Sequence, residues 1–174
     1  MTNIILFGPP GVGKSTIGKL MADKFDFIFF DGDEVMTNDD RVALSSGQWD
    51  DGRRQGVLRR IAERFNALNS EGVQNVVTSV ALTMSWMRDE LVRQISYGAV
   101  FVLVRSELSD EKIVELVSTR SKEGHPINVE NFRKFTAAFE APSMKHKVLI
   151  NPGNGIDNPN LENNVREITE AIGL

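Results

Sequence analysis

The sequence predicts an α/β fold: a parallel sheet with helices on both faces. Three observations lead there. Five short apolar runs, "IILF" (4–7), "FIFF" (27–30), "VVTSV" (76–80), "AVFVLV" (99–104) and "VLI" (148–150), are continuous rather than alternating. Continuous runs are what strands covered on both faces require. The stretches between them carry apolar residues at helical spacing, so strand and helix signals alternate along the chain. Finally, "GPPGVGKST" (8–16) joins the first strand to the first helix.

Taken in chain order, "IILF" leads into that glycine-rich segment. It fits G-x-x-x-x-G-K-[ST] with Gly8, Gly13, Lys14 and Ser15 in the required places, so the expected fold is that of a P-loop NTPase. Glycines let main-chain N–H groups close around an anion, and the following helix adds its positive N-terminal end. Gly8, Pro9, Pro10, Gly11, Val12, Gly13, Lys14, Ser15 and Thr16 are therefore the expected ATP cradle. Lys14 is expected to reach the β- and γ-phosphates and the Ser15 hydroxyl to ligate Mg²⁺. Ile17, Leu20 and Met21 supply the apolar face of the helix behind it. A ligand-free glycine turn is the competing reading, and its position between strand and helix argues against it. A guanine-reading N-K-x-D is absent from the sequence, which weakens a GTPase reading.

"FIFF" is the one apolar run that ends in carboxylates, giving Asp31-Gly32-Asp33. The carboxyl ends of parallel strands line the ligand crevice, so this tip is expected beside the phosphate loop. Asp31 could hold Mg²⁺ through its water shell, and Asp33 could accept the proton of an attacking hydroxyl. The alternative is a helix cap, with Asp33 capping and Glu34 in the first turn. The phosphate loop one βα unit upstream favours chemistry.

Val57, Ile61, Phe65 and Leu68 then mark one helix, and Met84, Met87, Leu91 and Ile95 another, on either side of "VVTSV". After "AVFVLV", residues 118–135 read "STRSKEGHPINVENFRKF", a basic, glycine-containing connection between two helical segments. The expectation is a mobile lid over residues 118–130 that closes on phosphates and excludes water. Arg120 is its candidate cation, and His125 could orient substrate or simply be a loop residue. Arg59, Arg60 and Lys122 read as solvated charges, and Trp49 and Trp86 as partly buried packing residues. "VLI" gives the last strand, "NPGNGIDNPN" (151–160) a loop, and Val165, Ile168 and Ile172 the closing helix.

Composition limits the function. At 174 residues, 41% apolar and 25% charged, the chain has the profile of a single globular domain spanning 1–174. A net charge of −4 argues against a nucleic-acid binder or a polybasic membrane-surface protein. With no cysteine there is no disulfide framework and no thiolate metal site. No apolar run is long enough for a bilayer and "MTNIILF" lacks the pattern of a secretory signal, so the expected location is the cytoplasm.

With these residues placed, the chain resembles the small-molecule kinases of the shikimate kinase and gluconate kinase group, and is most similar to the gluconate kinases. The segments that carry the likeness are "GPPGVGKST", "FFDGDEV", "SSGQWDDGRRQGVL" (45–58), "VVTSVALTMSWMRDELVR" (76–93) and "STRSKEGHPINVENFRKFTAAFEAP" (118–142). The resemblance implies a five-stranded parallel sheet in the order 2-3-1-4-5, a substrate region after the second strand and a lid before the last. It implies ATP-dependent phosphorylation of gluconate or a related polyhydroxy acid, with Mg²⁺, and a homodimer. Carried over by position, Lys14 and Ser15 hold ATP and Mg²⁺, and Asp31 and Asp33 serve metal and acceptor. Arg53 and Arg88 grip the substrate, Arg120 stabilises the transferring charge, and Asn151, Pro152 and Gly153 form the adenine-side loop. The sequence departs from that pattern at Met36, Thr37 and Thr83, where gluconate kinases carry His, Pro and Lys. Those departures leave the ATP side intact and open other acceptors, including those of shikimate, nucleotide and adenylylsulfate kinases, or a nucleotide-binding regulator with no small-molecule acceptor.

Overall fold

The computed structural model describes residues 1–123, 127–153 and 155–173. Its strands are β1 (Thr2–Phe7), β2 (Ile28–Asp31), β3 (Asn75–Val80), β4 (Val100–Ser106) and β5 (Lys147–Asn151), one for each apolar run. They pair in parallel in the order β2-β3-β1-β4-β5, as the resemblance implied. The helices are α1 (Lys14–Lys24), α2 (Asn38–Ser45), α3 (Asp51–Ser70), α4 (Ser85–Gln94), α5 (Asp110–Lys122), α6 (Val129–Ala137) and α7 (Pro159–Ala171), with a 3-10 turn at Gly32–Val35.

Central strand β1 shows why its run "IILF" (4–7) is unbroken hydrophobe. Ile4 and Leu6 pack with Ile17, Leu20 and Met21 of α1 and with Leu161 and Val165 of α7. Ile5 and Phe7 point the other way, onto Val57, Leu58, Ile61 and Phe65 of α3 and Met87 and Leu91 of α4. Successive side chains leave opposite faces of a strand, so both faces must be apolar. Each fully buried side chain of this size contributes about 1.5–3 kcal/mol, which makes the two layers the main source of stability.

Two elements lie apart from that scheme. Helix α2 was not marked by periodicity, since it is short and only Ala43, Leu44 and Asp40 are buried. Its signal was the cap: Thr37 Oγ1 accepts from Asp40 N and Asp40 Oδ2 from Thr37 N, a reciprocal box at spacing i, i+3. Helices α5 and α6 bury Ile113, Val117 and Phe132 against each other, in a small cluster separate from both sheet cores. The expected lid thus covers the end of α5 and the start of α6, while Gly124, His125 and Pro126 lie outside the described residues. No helix among the described residues is long and apolar enough to cross a membrane.

Candidate active site

The loop after β1 is shaped by the packing of its neighbours. Gly13 caps α1 at φ 90°, and no side chain bonds the first turn of that helix. A Cβ at Gly13 would sit 2.0 Å from Asn151 Nδ2, so only glycine lets the loop close against β5. Asn151 is buried and donates to Val12 O at 2.9 Å while accepting from Gly153 N at 3.0 Å. Lys14 lies over the loop, its Nζ donating to Pro9 O (2.7 Å) and Gly8 O (3.1 Å). Burial pushes its ammonium down to about 8; Asp33 and Asp31 work against that shift, and Arg120 adds to it. An uncapped helix start, a loop that excludes Cβ atoms and a lysine laid on its own loop carbonyls together fit a polyphosphate.

Opposite the loop stands the acidic turn. Asp31 Oδ2 accepts from Ser15 Oγ at 2.6 Å, and Ser79 Oγ lies 3.2 Å from the same hydroxyl. Asp31 Oδ1 accepts from Asp33 N at 3.1 Å and Glu34 Oε1 from Asp31 N at 3.1 Å. Asp31 is therefore the capping residue of the turn, correcting the alternative that gave the cap to Asp33. This leaves Asp33 to face the cleft, its carbonyl held by Arg41 Nη2 of α2 at 2.5 Å. Gly32 permits the fold here, because a Cβ would meet Ser79 O at 2.7 Å. Among the described residues no three His, Cys, Asp or Glu side chains gather as a metal site. Ser15 Oγ and Asp31 are oxygen donors of the kind that would hold a Mg²⁺ here.

The cleft has two lobes. The first, about 630 Å³ including its open mouth, is lined by the phosphate loop, Asp31, Asp33, Ser79 and Arg120. The second, about 580 Å³, lies between α2, α3 and α4 and shares Asp33, Val80, Ala81 and Ile127 with the first. Its wall includes Met36, Trp49, Arg54, Thr83 and Phe135.

The structure sorts the expected residues. Pro10, Gly11, Gly13, Lys14, Ser15, Asp31, Asp33 and Arg120 come together in the first lobe. Gly8 and Pro9 supply carbonyls to Lys14, Val12 is buried in the sheet core, and Thr16 is not among the lining residues. Asn151, Pro152 and Gly153 do not line either lobe; Asn151 braces the loop from behind. Arg53 points out of the cleft, toward Asp39 O (3.5 Å) and Asp40 Oδ1 (3.8 Å), and its neighbour Arg54 takes the inward place. Arg88 is 1% exposed and donates to Leu82 O, Ser85 Oγ and Glu140 O, so its guanidinium joins the β3–α4 link to the segment after α6. His125 lies outside the described residues. Arg60 is no solvated charge: it pairs with Asp40 and donates to Val35 O at 2.8 Å, fixing α2 under the acidic turn.

Sequence reading singled out neither Ser79 nor Arg41, and it marked Arg54 only as one of several cations in the stretch "DDGRRQGVLRRIAER" (50–64). For Arg54 a signal was present: it lies three, four and seven residues before Val57, Leu58 and Ile61, on the buried stripe of α3.

An AAA domain family matches residues 4–142, from β1 through both lobes to the end of the α6 connection. This chain belongs to the AAA domain family. A probable gluconokinase of Schizosaccharomyces pombe is 24% identical over 149 residues, 84% of this AAA-domain chain and 76% of the relative. A shikimate kinase of Alteromonas mediterranea is 33% identical over 82 residues, 44% of the chain, and the match spans about half of that enzyme (48%). A sugar kinase of Janibacter sp. HTCC2649 superposes with a TM-score of 0.76 at 21% identity, covering 99% of this chain and 94% of that one. With this family and these relatives, the chain is a P-loop small-molecule kinase that uses ATP.

Proposed function

We propose that this kinase transfers the γ-phosphoryl group of ATP to a hydroxyl of a small hydroxylated acid seated in the second lobe. Gluconate-type acids are the first class to assay, since a similar protein carries the name of probable gluconokinase. The observation that carries the reading is that Asp33 lines both lobes, where its carboxylate can serve a donor in one and an acceptor in the other. Lys14 and the loop amides would hold the β- and γ-phosphates, and Ser15 and Asp31 would hold Mg²⁺. Bound Mg²⁺ would neutralise charge on the phosphate oxygens. Arg120 shares the lobe with Lys14 and adds positive charge where negative charge builds up during transfer. Asp33 takes the proton of the acceptor hydroxyl as its oxygen bonds to the γ-phosphorus and the bond to the ADP oxygen breaks.

Asp33→Asn tests this. Acceptor-stimulated ADP release should fall by about 10²–10⁴-fold while ATP affinity stays unchanged. Wild-type turnover in that variant overturns the role of Asp33. ATP binding with no acceptor-stimulated ADP release from any small hydroxylated acid would favour a nucleotide-dependent regulator.

A further inference from the structure

We infer that the acceptor has a largely apolar, ring-sized body, with its reacting hydroxyl at the Asp33 end and one anionic group at the Arg54 end. This rests on the phosphotransfer reading and deepens it. The second lobe is walled by Met36, Leu44, Trp49, Leu58, Met87 and Phe135, and among the described residues Asp33 and Arg54 are its charged lining residues. Its side-chain hydroxyl, on Thr83, faces the Met87 thioether at 3.9 Å. The nearby carbonyls are engaged: Val80 O accepts from Leu82 N, Ala81 O from Thr83 N, and Thr83 O from Glu140 N.

A linear sugar acid carries a hydroxyl on nearly every carbon, and most would be buried here against methyl, thioether and ring surfaces. Buried polar groups without partners oppose binding, whereas an apolar body gains from the same walls. Arg54 can receive the anionic end. Its Nη1 donates to Asp51 Oδ1 at 2.8 Å, but the Asp51 side chain is 66% exposed, and a solvated pair of that kind is weak. A carboxylate or phosphate entering the lobe can replace it with charge-assisted bonds on a guanidinium whose own side chain is only 13% exposed.

The test uses Trp49 as reporter, with Trp86→Phe removing the other of the chain's 2 tryptophans. With a non-hydrolysable ATP analogue bound, 4-(hydroxymethyl)benzoate should perturb Trp49 emission at concentrations at least tenfold below gluconate. Arg54→Ala should weaken 4-(hydroxymethyl)benzoate about tenfold and leave benzyl alcohol unchanged. Calorimetry on the unmodified chain gives the same comparison if Trp86→Phe fails to fold. Gluconate binding as tightly as the aromatic acid, or neither binding, overturns the inference; an Arg54→Ala variant that binds the acid normally overturns its anionic end. The aromatic acid binding without ADP release would keep the lobe's preference for an apolar body with one anionic end and sink the phosphotransfer reading. ADP release stimulated by gluconate ahead of the aromatic acid would do the reverse.

Discussion

The two lobes of the cleft are built from different material. The phosphate lobe is mostly main chain: glycines at fixed spacing, the uncapped start of α1, and a lysine laid over its own loop. The second lobe is mostly side chain, contributed by α2, α3, α4 and the connection before α6. Main-chain recognition suits a ligand that never changes, because every P-loop meets the same polyphosphate. A wall of side chains can be rewritten one residue at a time without disturbing the sheet behind it, so acceptor choice can drift while the donor site stays fixed. Met36 and Thr83, two of the three departures from the gluconate kinase pattern, both face the second lobe.

If the lobes are that separate, damage to one should spare the other. Lys14→Ala gives the largest effect, a loss of turnover of about 10³-fold, while acceptor binding read from Trp49 emission is retained. Loss of acceptor binding in that variant would show that the lobes are coupled. Arg88→Met strikes the acceptor side from within the core, leaving the carbonyls of Leu82 and Glu140 without their buried donor. It should cost about 2–4 kcal/mol, seen as a lower urea midpoint at unchanged slope, with ATP affinity of the folded protein intact.

A smaller effect follows from the Lys14 ammonium. In the free protein it titrates near 8, below its ordinary 10.5, so between those values the folded chain holds fewer protons than the unfolded one. Stability of the free protein therefore rises with pH across that window. Bound phosphates favour the charged ammonium, so ATP binding should take up a fraction of a proton at pH 8–9, and affinity should fall as pH rises past about 8. Calorimetry in buffers of different ionisation enthalpy measures the uptake; none at pH 8.5 would remove Lys14 as the titrating contact. Smallest of all, Thr83→Val should change stability by less than about 1 kcal/mol, because the hydroxyl gives up only a thioether contact at 3.9 Å.

Much of this was legible before the fold was known. All five strands were marked by their apolar runs: the inner strands β1, β3 and β4 are covered on both faces, and the edge strands β2 and β5 stay apolar although Ile28 and Val148 are exposed. Asp31 and Asp33 were legible from their place at the end of β2, but not their division of labour. Both the cap and the Ser15 hydroxyl fall to Asp31 because the chain turns into a 3-10 helix at Gly32. Ser79 was hidden inside an apolar run, and its role appears only when β3 pairs with β2 and sets Ser79 opposite Asp31. Arg53 and Arg54 are adjacent and chemically identical; the rotation of α3, fixed by Val57, Leu58 and Ile61, decides which one enters the cleft. Arg88 looked like a substrate cation, and burial made it a structural tie instead.

The sequence alone determined the phosphate loop, the α/β alternation and the acidic turn beside the loop, because these depend on local geometry: glycine spacing, strand periodicity and chain order. Tertiary structure decided the second lobe. Its walls come from helices distant in sequence, and the inward direction of each side chain is set by how those helices rotate to bury their apolar stripes on the sheet.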